Sequence, residues 1–375
     1  MGISWVLLIA AVLVFAQHRF YTRRGFARLR IERAFNKSRC HVGDEVVMVE
    51  TIANHKLAPI PWLRLESTLH AGLYFAKQAN LEVSSGAISQ NHRSLFSLMP
   101  YTKIVRRHQI HCTKRGWYKL ETVAVSIGDL IGIQAAGMTQ RLNLELLVYP
   151  QLERWEDIPL PSSRWQGDIT VKRWIMQDPF VSSGVREYRY GDTMNSIHWK
   201  ATARSQRLQV YNREFTADPR LLLVVNTQIT ESMWDAVTDP ELVERGLSYA
   251  ATLADHAVSQ GIPVGFGYNG SVQDEPGVPV FIAPEGGLPH LDAMFETMAK
   301  LTVSCCRTCQ DFLDDWIIHD GMAMDILLLT SFVSASMEMS IRQLEAMGHS
   351  VFIVPLQISL VDHIEQEVET SDAAI

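Results

Sequence analysis

The chain has 375 residues, of which 47% are hydrophobic and 20% charged, with a formal net charge of -7. That length is long for a single core and predicts two domains with attachments. The acidic balance argues against a general nucleic-acid binder.

The charge is uneven. The first 39 residues hold eight Lys or Arg and one acid, Glu32, which leaves -14 for the remainder. The opening run MGISWVLLIAAVLVFAQHRF has no formal charge before Arg19. Its length is near the lower limit for a helix that spans a bilayer. Trp5 suits one interface, and His18 with Arg19 the other. Arg19, Arg23, Arg24, Arg28 and Arg30 then mark the cytoplasmic side. Residues 1–18 are expected to be a single membrane anchor and 19–39 a basic juxtamembrane segment. A cleaved signal peptide is one rival, since Val14-Phe15-Ala16 resembles a cleavage site. In such peptides, however, the basic residues precede the apolar run. A buried core helix is the other rival.

Residues 40–150 read as strands and turns. EVVMVETIA follows the turn signal Gly43-Asp44, and WLRLEST, HQIHC, YKLETVAVSI and NLELLVYP come after it. Short runs separated by turns predict an antiparallel β-sandwich. The stretch 151–181 mixes prolines with Trp and Phe and opens an irregular connector that reaches residue 218. From 219 to 358 the period changes. LLLVVN is a continuous apolar run, as in a strand buried on both faces. Residues 240–260 follow the 3.6-residue repeat and stop at Gly261. Further strands are IPVGFGY, MDILLLTS and SVFIVPLQ, with helices near 288–301, 309–318 and 336–347. This alternation predicts a doubly wound, mostly parallel sheet. Residues 359–375 form an acidic tail with little apolar content.

Five cysteines fit no disulfide framework in a chain this size. Cys40 and Cys112 stand alone in the sequence. Cys305, Cys306 and Cys309 give part of a zinc spacing without a second pair, so reduced thiols on a helix are the plainer expectation.

The densest chemistry runs from Gly184 to Glu214: GVREYRYGDTMNSIHWKATARSQRLQVYNRE. Asp192 is suited to N-cap a helix beginning at Thr193, with Gly191 making the turn. Lys200 and Arg204, four apart, share a stripe of that helix. A strand follows, with Leu208 and Val210 on one face.

These residues resemble the signature of the domain-of-unknown-function 58 family. The matching positions are Arg186-Glu187-Tyr188, Gly191-Asp192, Ile197-His198-Trp199-Lys200 and Ala203-Arg204. KRGWYKLETVAVSIGDLIGI and LLVYPQL are similar to two further blocks, so the resemblance extends over most of the chain. It implies a bacterial or archaeal, membrane-attached protein with a β-sandwich and a von Willebrand factor A-like domain. It also implies association with an AAA ATPase of the MoxR type, at the inner membrane. Members often carry two membrane helices, and one candidate is present here.

The metal site that such a domain implies is degenerate in this sequence. D-x-S-x-S corresponds to Asn226-Thr227-Gln228-Ile229-Thr230, and the fourth strand ends in Thr330-Ser331 without an acid. Neutral oxygens bind Mg²⁺ weakly. No metal and no cofactor are expected, and Asn226, Gln228, Thr230, Thr330 and Ser331 should line the equivalent crevice.

Single-strand nucleic-acid binding on the aromatics of the signature is disfavoured by the acidic remainder of the chain, and three readings of the stretch remain open. It is an ion-pair network that fastens the connector, since buried charges require partners. It is a docking site for an acidic partner, because Trp, Tyr and Arg dominate interface energetics. Or it is the site of an uncharacterised hydrolase built on Asp192, His198 and Ser183 or Ser196, although no nucleophile elbow or phosphate loop is present. The expectation is a non-enzymatic, membrane-anchored interaction protein.

Overall fold

The computed structural model describes residues 2–75, 81–86, 89–129, 134–160, 185–187, 198–211, 220–231, 237–317 and 323–357. The chain forms two compact units. One is Met1–Leu152 with Phe295–Lys300, and the other is Glu153–Met294 with Leu301–Ile375.

The first unit begins with α1 (Gly2–Arg24), whose apolar part is fully exposed and long enough to cross a membrane. Ten strands follow. They are β1 (Leu29–Phe35), β2 (Arg39–His41), β3 (Glu45–Asn54), β4 (Ile60–His70), β5 (Leu73–Phe75), β6 (Leu81–Ser85), β7 (Ser89–Leu98), β8 (Lys103–Cys112), β9 (Gly116–Gly128) and β10 (Gln134–Tyr149). Four form a sheet in the order β1-β3-β8-β5, and six form a second in the order β2-β10-β9-β4-β7-β6. Every pairing is antiparallel except β2 with β10. Ile52 and Ile110 from the smaller sheet share one core with Leu63, Leu65, Val125 and Leu146 from the larger. Burying one face of each sheet in this way is what makes a two-layer domain stable.

Two expectations change here. The helix does not stop at residue 18 but runs through the basic residues to Arg24, and Tyr21 is buried in the sandwich core. Residues 29–35 are not a juxtamembrane tether. They are β1, an edge strand, with Ile31 in the core. The sandwich therefore starts eleven residues before the expected boundary at 40. At the turn off α1, Gly25 donates its N–H to Tyr21 O at 2.8 Å. A side chain at Gly25 would collide with that same carbonyl.

Part of the sandwich interior is charged. Arg33 on β1 donates to Glu50 on β3 at 2.7 Å and to Ser67 on β4 at 3.0 Å. His108 Nε2 on β8 lies 3.6 Å from the second Glu50 oxygen. Burial pushes the Glu50 carboxyl up, but His108 and Arg33 outweigh it and hold the group below the usual carboxylate range. His92 on β7 packs 4.1 Å from Phe75, and burial, with the charges of Arg33 and His108, pushes its imidazole down to about 4. Nearby, Cys40 on β2 and Cys112 on β8 sit with their sulfurs 3.5 Å apart, both buried. They stand alone in the sequence but not in space.

The second unit contains β11 (Val185–Glu187), α2 (Trp199–Ser205), β12 (Gln209–Tyr211), β13 (Leu221–Val225), α3 (Pro240–Ser259), β14 (Val264–Tyr268), β15 (Val280–Glu285), α5 (Cys309–Ile317), β16 (Asp325–Thr330), α6 (Ala335–Ala346) and β17 (Ser350–Pro355). Helix α4 (Leu288–Lys300) precedes α5. The main sheet has the order β15-β14-β13-β16-β17. Strands β14, β13, β16 and β17 are parallel, and β15 joins the edge antiparallel to β14. All five residues of β13 are buried, as the unbroken run LLLVV requires.

Helices cover both faces of this sheet. Asp239 caps α3 by accepting from Glu241 N and Leu242 N, and Pro240 opens the helix where its missing N–H costs nothing. Its face of Leu247, Ala250, Leu253, Ala254 and Ala257 is buried. A β-carbon at Gly246 of α3 would meet Val225 and Leu356, so this position allows helix and sheet to approach closely. Against the other face, Phe312 and Leu313 of α5 and Met337, Ile341 and Leu344 of α6 pack on Leu222, Val224, Ile326 and Leu328.

Candidate functional site

Two features compete as the functional site of the second unit. The first is the crevice beyond the carboxyl ends of the parallel strands, where ligands of open α/β sheets bind. β13 ends at Val225, β14 at Tyr268 and β16 at Thr330, so Asn226, Asn269 and Thr330 lie at that edge together.

The three side chains bond to one another. Asn226 donates from Nδ2 to Thr330 Oγ1 at 3.0 Å. Its Oδ1 accepts from Gln228 N at 3.0 Å and from Asn269 Nδ2 at 2.9 Å. Asn269 Oδ1 accepts from Thr227 N at 2.8 Å, and its Nδ2 also donates to Arg307 O at 3.2 Å. The Thr330 hydroxyl donates in turn to Phe332 O at 2.7 Å. Gln228 Oε1 accepts from Cys309 N at 2.6 Å, which satisfies an open donor at the start of α5. Ser331 Oγ reaches Gln228 O at 3.4 Å.

Asn226, Gln228, Thr330 and Ser331 are thus brought together. Thr230 is exposed and takes no part in these bonds. Every side chain in the network is neutral. A carboxylate at residue 226 would have no proton to give Thr330, so the amide suits this network better than an acid would. Among the described residues, no group of three or more His, Cys, Asp or Glu is arranged to hold a metal ion.

Asn269 was not singled out in the sequence. The signal for it was its position directly after the strand VGFGY, at the same edge as residue 226. The cysteines beside it differ from the expectation of thiols on a helix. Cys309 begins α5, but Cys305 and Cys306 lie in the preceding turn. Burial, with Cys305 nearby, pushes the Cys309 thiol up to about 12, and Cys305 donates to Arg307 O at 3.1 Å. A thiol held protonated is neither a nucleophile nor a metal ligand.

The second feature is the signature stretch. Its two ends meet: β11 and β12 pair antiparallel, with Arg186 opposite Val210 and Glu187 opposite Gln209. Between them α2 is pinned to β12. His198 N donates to Gln209 O at 2.7 Å, and Gln209 N donates to Thr202 Oγ1 at 3.0 Å. Gln206 closes the helix in the left-handed conformation, φ +57°.

The described helix begins at Trp199 with His198 as its N-cap, where Nδ1 accepts from Ala201 N at 3.1 Å. That ring nitrogen is therefore committed to the backbone rather than open as a base. The expected cap Asp192, with Gly191, Tyr188, Thr193 and both candidate serines, lies outside the described residues. Trp199 is 67% exposed, and Lys200 and Arg204 beside it are exposed as well. Among the described residues no ion pair joins Lys200 or Arg204 to an acid.

The model of the family described as "Protein of unknown function DUF58" matches residues 184–371. The match opens on this signature, and the blocks at 114–133 and 146–152 fall outside it. The chain is 23% identical over 242 residues to the "Uncharacterized protein YeaD" of Bacillus subtilis, covering 63% of this chain and 57% of that protein. It therefore spans less than two thirds of that relative's length. Among solved structures it is similar to the CARDB domain of the PF1109 protein from Pyrococcus furiosus (15% identity, 32% of this chain and 91% of that one, TM-score 0.21). A non-cellulosomal cohesin from Archaeoglobus fulgidus is similar at 12% identity (31% of this chain and 91% of that one, TM-score 0.22). With half of its residues matched, from the signature through the last strand of the α/β sheet, the chain belongs to the DUF58 family.

Proposed function

We propose that this protein is a membrane-anchored adaptor whose α2 face receives an acidic partner surface. Trp199, exposed on the same short helix as exposed Lys200 and Arg204, is the observation that carries this reading. Trp and Arg are among the residues that concentrate binding energy at interfaces, and the two cations favour an acidic partner. The side-chain bonds of His198 and Thr202 hold the helix in place before any partner arrives, which lowers the ordering cost of binding.

The α/β unit is read as a von Willebrand factor A-like domain that works without a metal. The order β15-β14-β13-β16-β17, in which the chain winds outward from the central β13 in both directions, supports the doubly wound assignment. The neutral network at its carboxyl edge supports a crevice that holds its own loops rather than a cation. We read α1 as a single-pass anchor in the inner membrane; the basic residues at its end support a cytoplasmic location for both units. The resemblance to the DUF58 family makes a MoxR-type AAA ATPase the partner to seek. Arg204→Glu is the test. Gentle solubilisation of membranes followed by affinity capture recovers the ATPase with the parent chain and loses it with the variant, while the melting temperature is unchanged. Equal recovery with both would overturn the reading.

A further inference from the structure

The sandwich joins α1 without a spacer. From Gly2 to His18 the helix has no formal charge, a rise of about 24 Å at 1.5 Å per residue. The hydrocarbon core of a bilayer is about 30 Å thick. His18, at the end of that run, already touches the sandwich, with Nδ1 3.2 Å from Asp129 Oδ2 just beyond β9. One turn later Tyr21 is buried and donates from its hydroxyl to Pro59 O at 3.1 Å. Lys56 then donates to Arg24 O at 3.1 Å and to Gly25 O, which covers the negative end of the helix. A bilayer crossed by α1 must meet this end of the sandwich.

The end is built from the turns 55–59 and 99–102 and from the turn after α1. His55 N donates to Arg28 O at 3.0 Å, and Tyr101 N donates to Lys56 O at 3.3 Å. Asn54 Nδ2 ties the two turns by donating to Ala58 O and Met99 O, both at 3.0 Å. From this hydrogen-bonded frame three large apolar side chains project. Leu57 is 75% exposed, Met99 65% and Tyr101 66%. Arg23, Arg24, Arg28 and Lys103 are exposed around them. Tyr101 also has φ +54°, a conformation that bulky residues rarely adopt and that tends to mark working positions.

We propose that the turns 55–59 and 99–102 form a lipid-docking face. Leu57, Met99 and Tyr101 enter the head-group layer of an anionic bilayer, and Arg23, Arg24, Arg28 and Lys103 meet lipid phosphates. Tyrosine, with an apolar body and a polar tip, suits that depth, and each basic group close to the surface adds attraction to anionic lipid. A bilayer is the occupant because α1 delivers this end to one. The proposal rests on the reading of α1 as a membrane anchor.

The test uses the full chain reconstituted in vesicles of phosphatidylethanolamine with phosphatidylglycerol. An environment-sensitive fluorescent amino acid is placed at position 57, 101, 74 or 8; a phospholipid with a nitroxide near its head group is the quencher for the first three, and one with a nitroxide deep in its acyl chain is the quencher for position 8. Tyr74, also exposed, is the control, because it pairs with His111 at the far end of β8. That is eight residues from Lys103, about 26 Å along the strand. The expected result is that positions 57 and 101 lose most of their emission and position 74 keeps nearly all of it. Arg28→Glu with Lys103→Glu should then restore much of the emission at 101. If 57 and 101 stay as bright as 74 while position 8 in α1 is quenched, the docking face is refuted and the anchor stands. If position 8 stays bright too, the anchor fails and the docking face fails with it.

Discussion

Asn226 donates its amide proton to the Thr330 hydroxyl at 3.0 Å, joining the carboxyl end of β13 to that of β16. The same amide accepts from Gln228 N and Asn269 Nδ2, so one side chain closes the edge of three parallel strands. Asn226→Ala leaves these buried partners without it and should lower the unfolding free energy by about 1–3 kcal/mol, read from urea denaturation. Calorimetric titration of the parent chain with Mg²⁺ should show no micromolar binding, because the available oxygens carry no charge. Binding at that level would mean the network opens to admit an ion.

Asp325 begins β16, at the opposite edge of the sheet. Burial raises its carboxyl to about 6, and the hydrogen bond with Ser350 only partly offsets this. Between about pH 4 and pH 6 the folded chain keeps a proton that the unfolded chain has released. Its contribution to stability therefore falls as pH rises through that window, and a deficit of up to about 3 kcal/mol persists above it. Asp325→Asn removes the effect. Melting curves of the variant and parent should nearly coincide at pH 4 and separate toward pH 7, with the variant more stable. Curves that stay parallel across the range would contradict the assignment.

The Arg33–Glu50 pair is nearly inaccessible to solvent, with His108 close by. Arg33→Met leaves a buried carboxylate without its main partner and should cost about 3–5 kcal/mol. Adding Glu50→Leu should return most of that loss, since an apolar pair of similar volume removes the uncompensated charge. Urea denaturation of the single and double variants distinguishes this from simple loss of packing, in which case the second substitution would add to the damage.

Cys40 and Cys112 are 72 residues apart in sequence and 3.5 Å apart at sulfur. Diamide, which accepts two hydrogens from a pair of thiols, should join them with the matching loss of mass. Cys40→Ser should prevent it. On the chain-entropy model the closed loop stabilises the fold by about 4 kcal/mol, which a rise in melting temperature would register. Oxidant consumption at Cys306 alone, with Cys40 and Cys112 left as thiols, would count against the geometry.

The sequence pattern disclosed the α/β unit best. LLLVV is apolar at every position because β13 is buried on both faces, and α3 keeps its small and aliphatic residues on one stripe. Strands β1 and β7 were hidden for one reason. Their inward positions include Arg33, Gln90, His92 and Ser94, so the alternation of β-strands does not show as alternation of polarity. Pairing of Cys40 with Cys112, and of Asn226 with Asn269, is set by the register of distant strands, which local spacing does not encode. Of the signature, Trp199, Lys200 and Arg204 are exposed, and the helix start after His198 was not anticipated, because a histidine cap ranks below the Asp, Asn, Ser and Thr that usually signal one.

Photo-crosslinking from position 199 in native membranes tests the adaptor account most directly. With a benzophenone amino acid replacing Trp199 in the full chain, the account predicts a discrete adduct with a second protein that mass spectrometry identifies as an AAA ATPase, lost when Arg204→Glu is added. Adducts confined to peptides of the same chain would show that the α2 face is an internal joint and contradict the account.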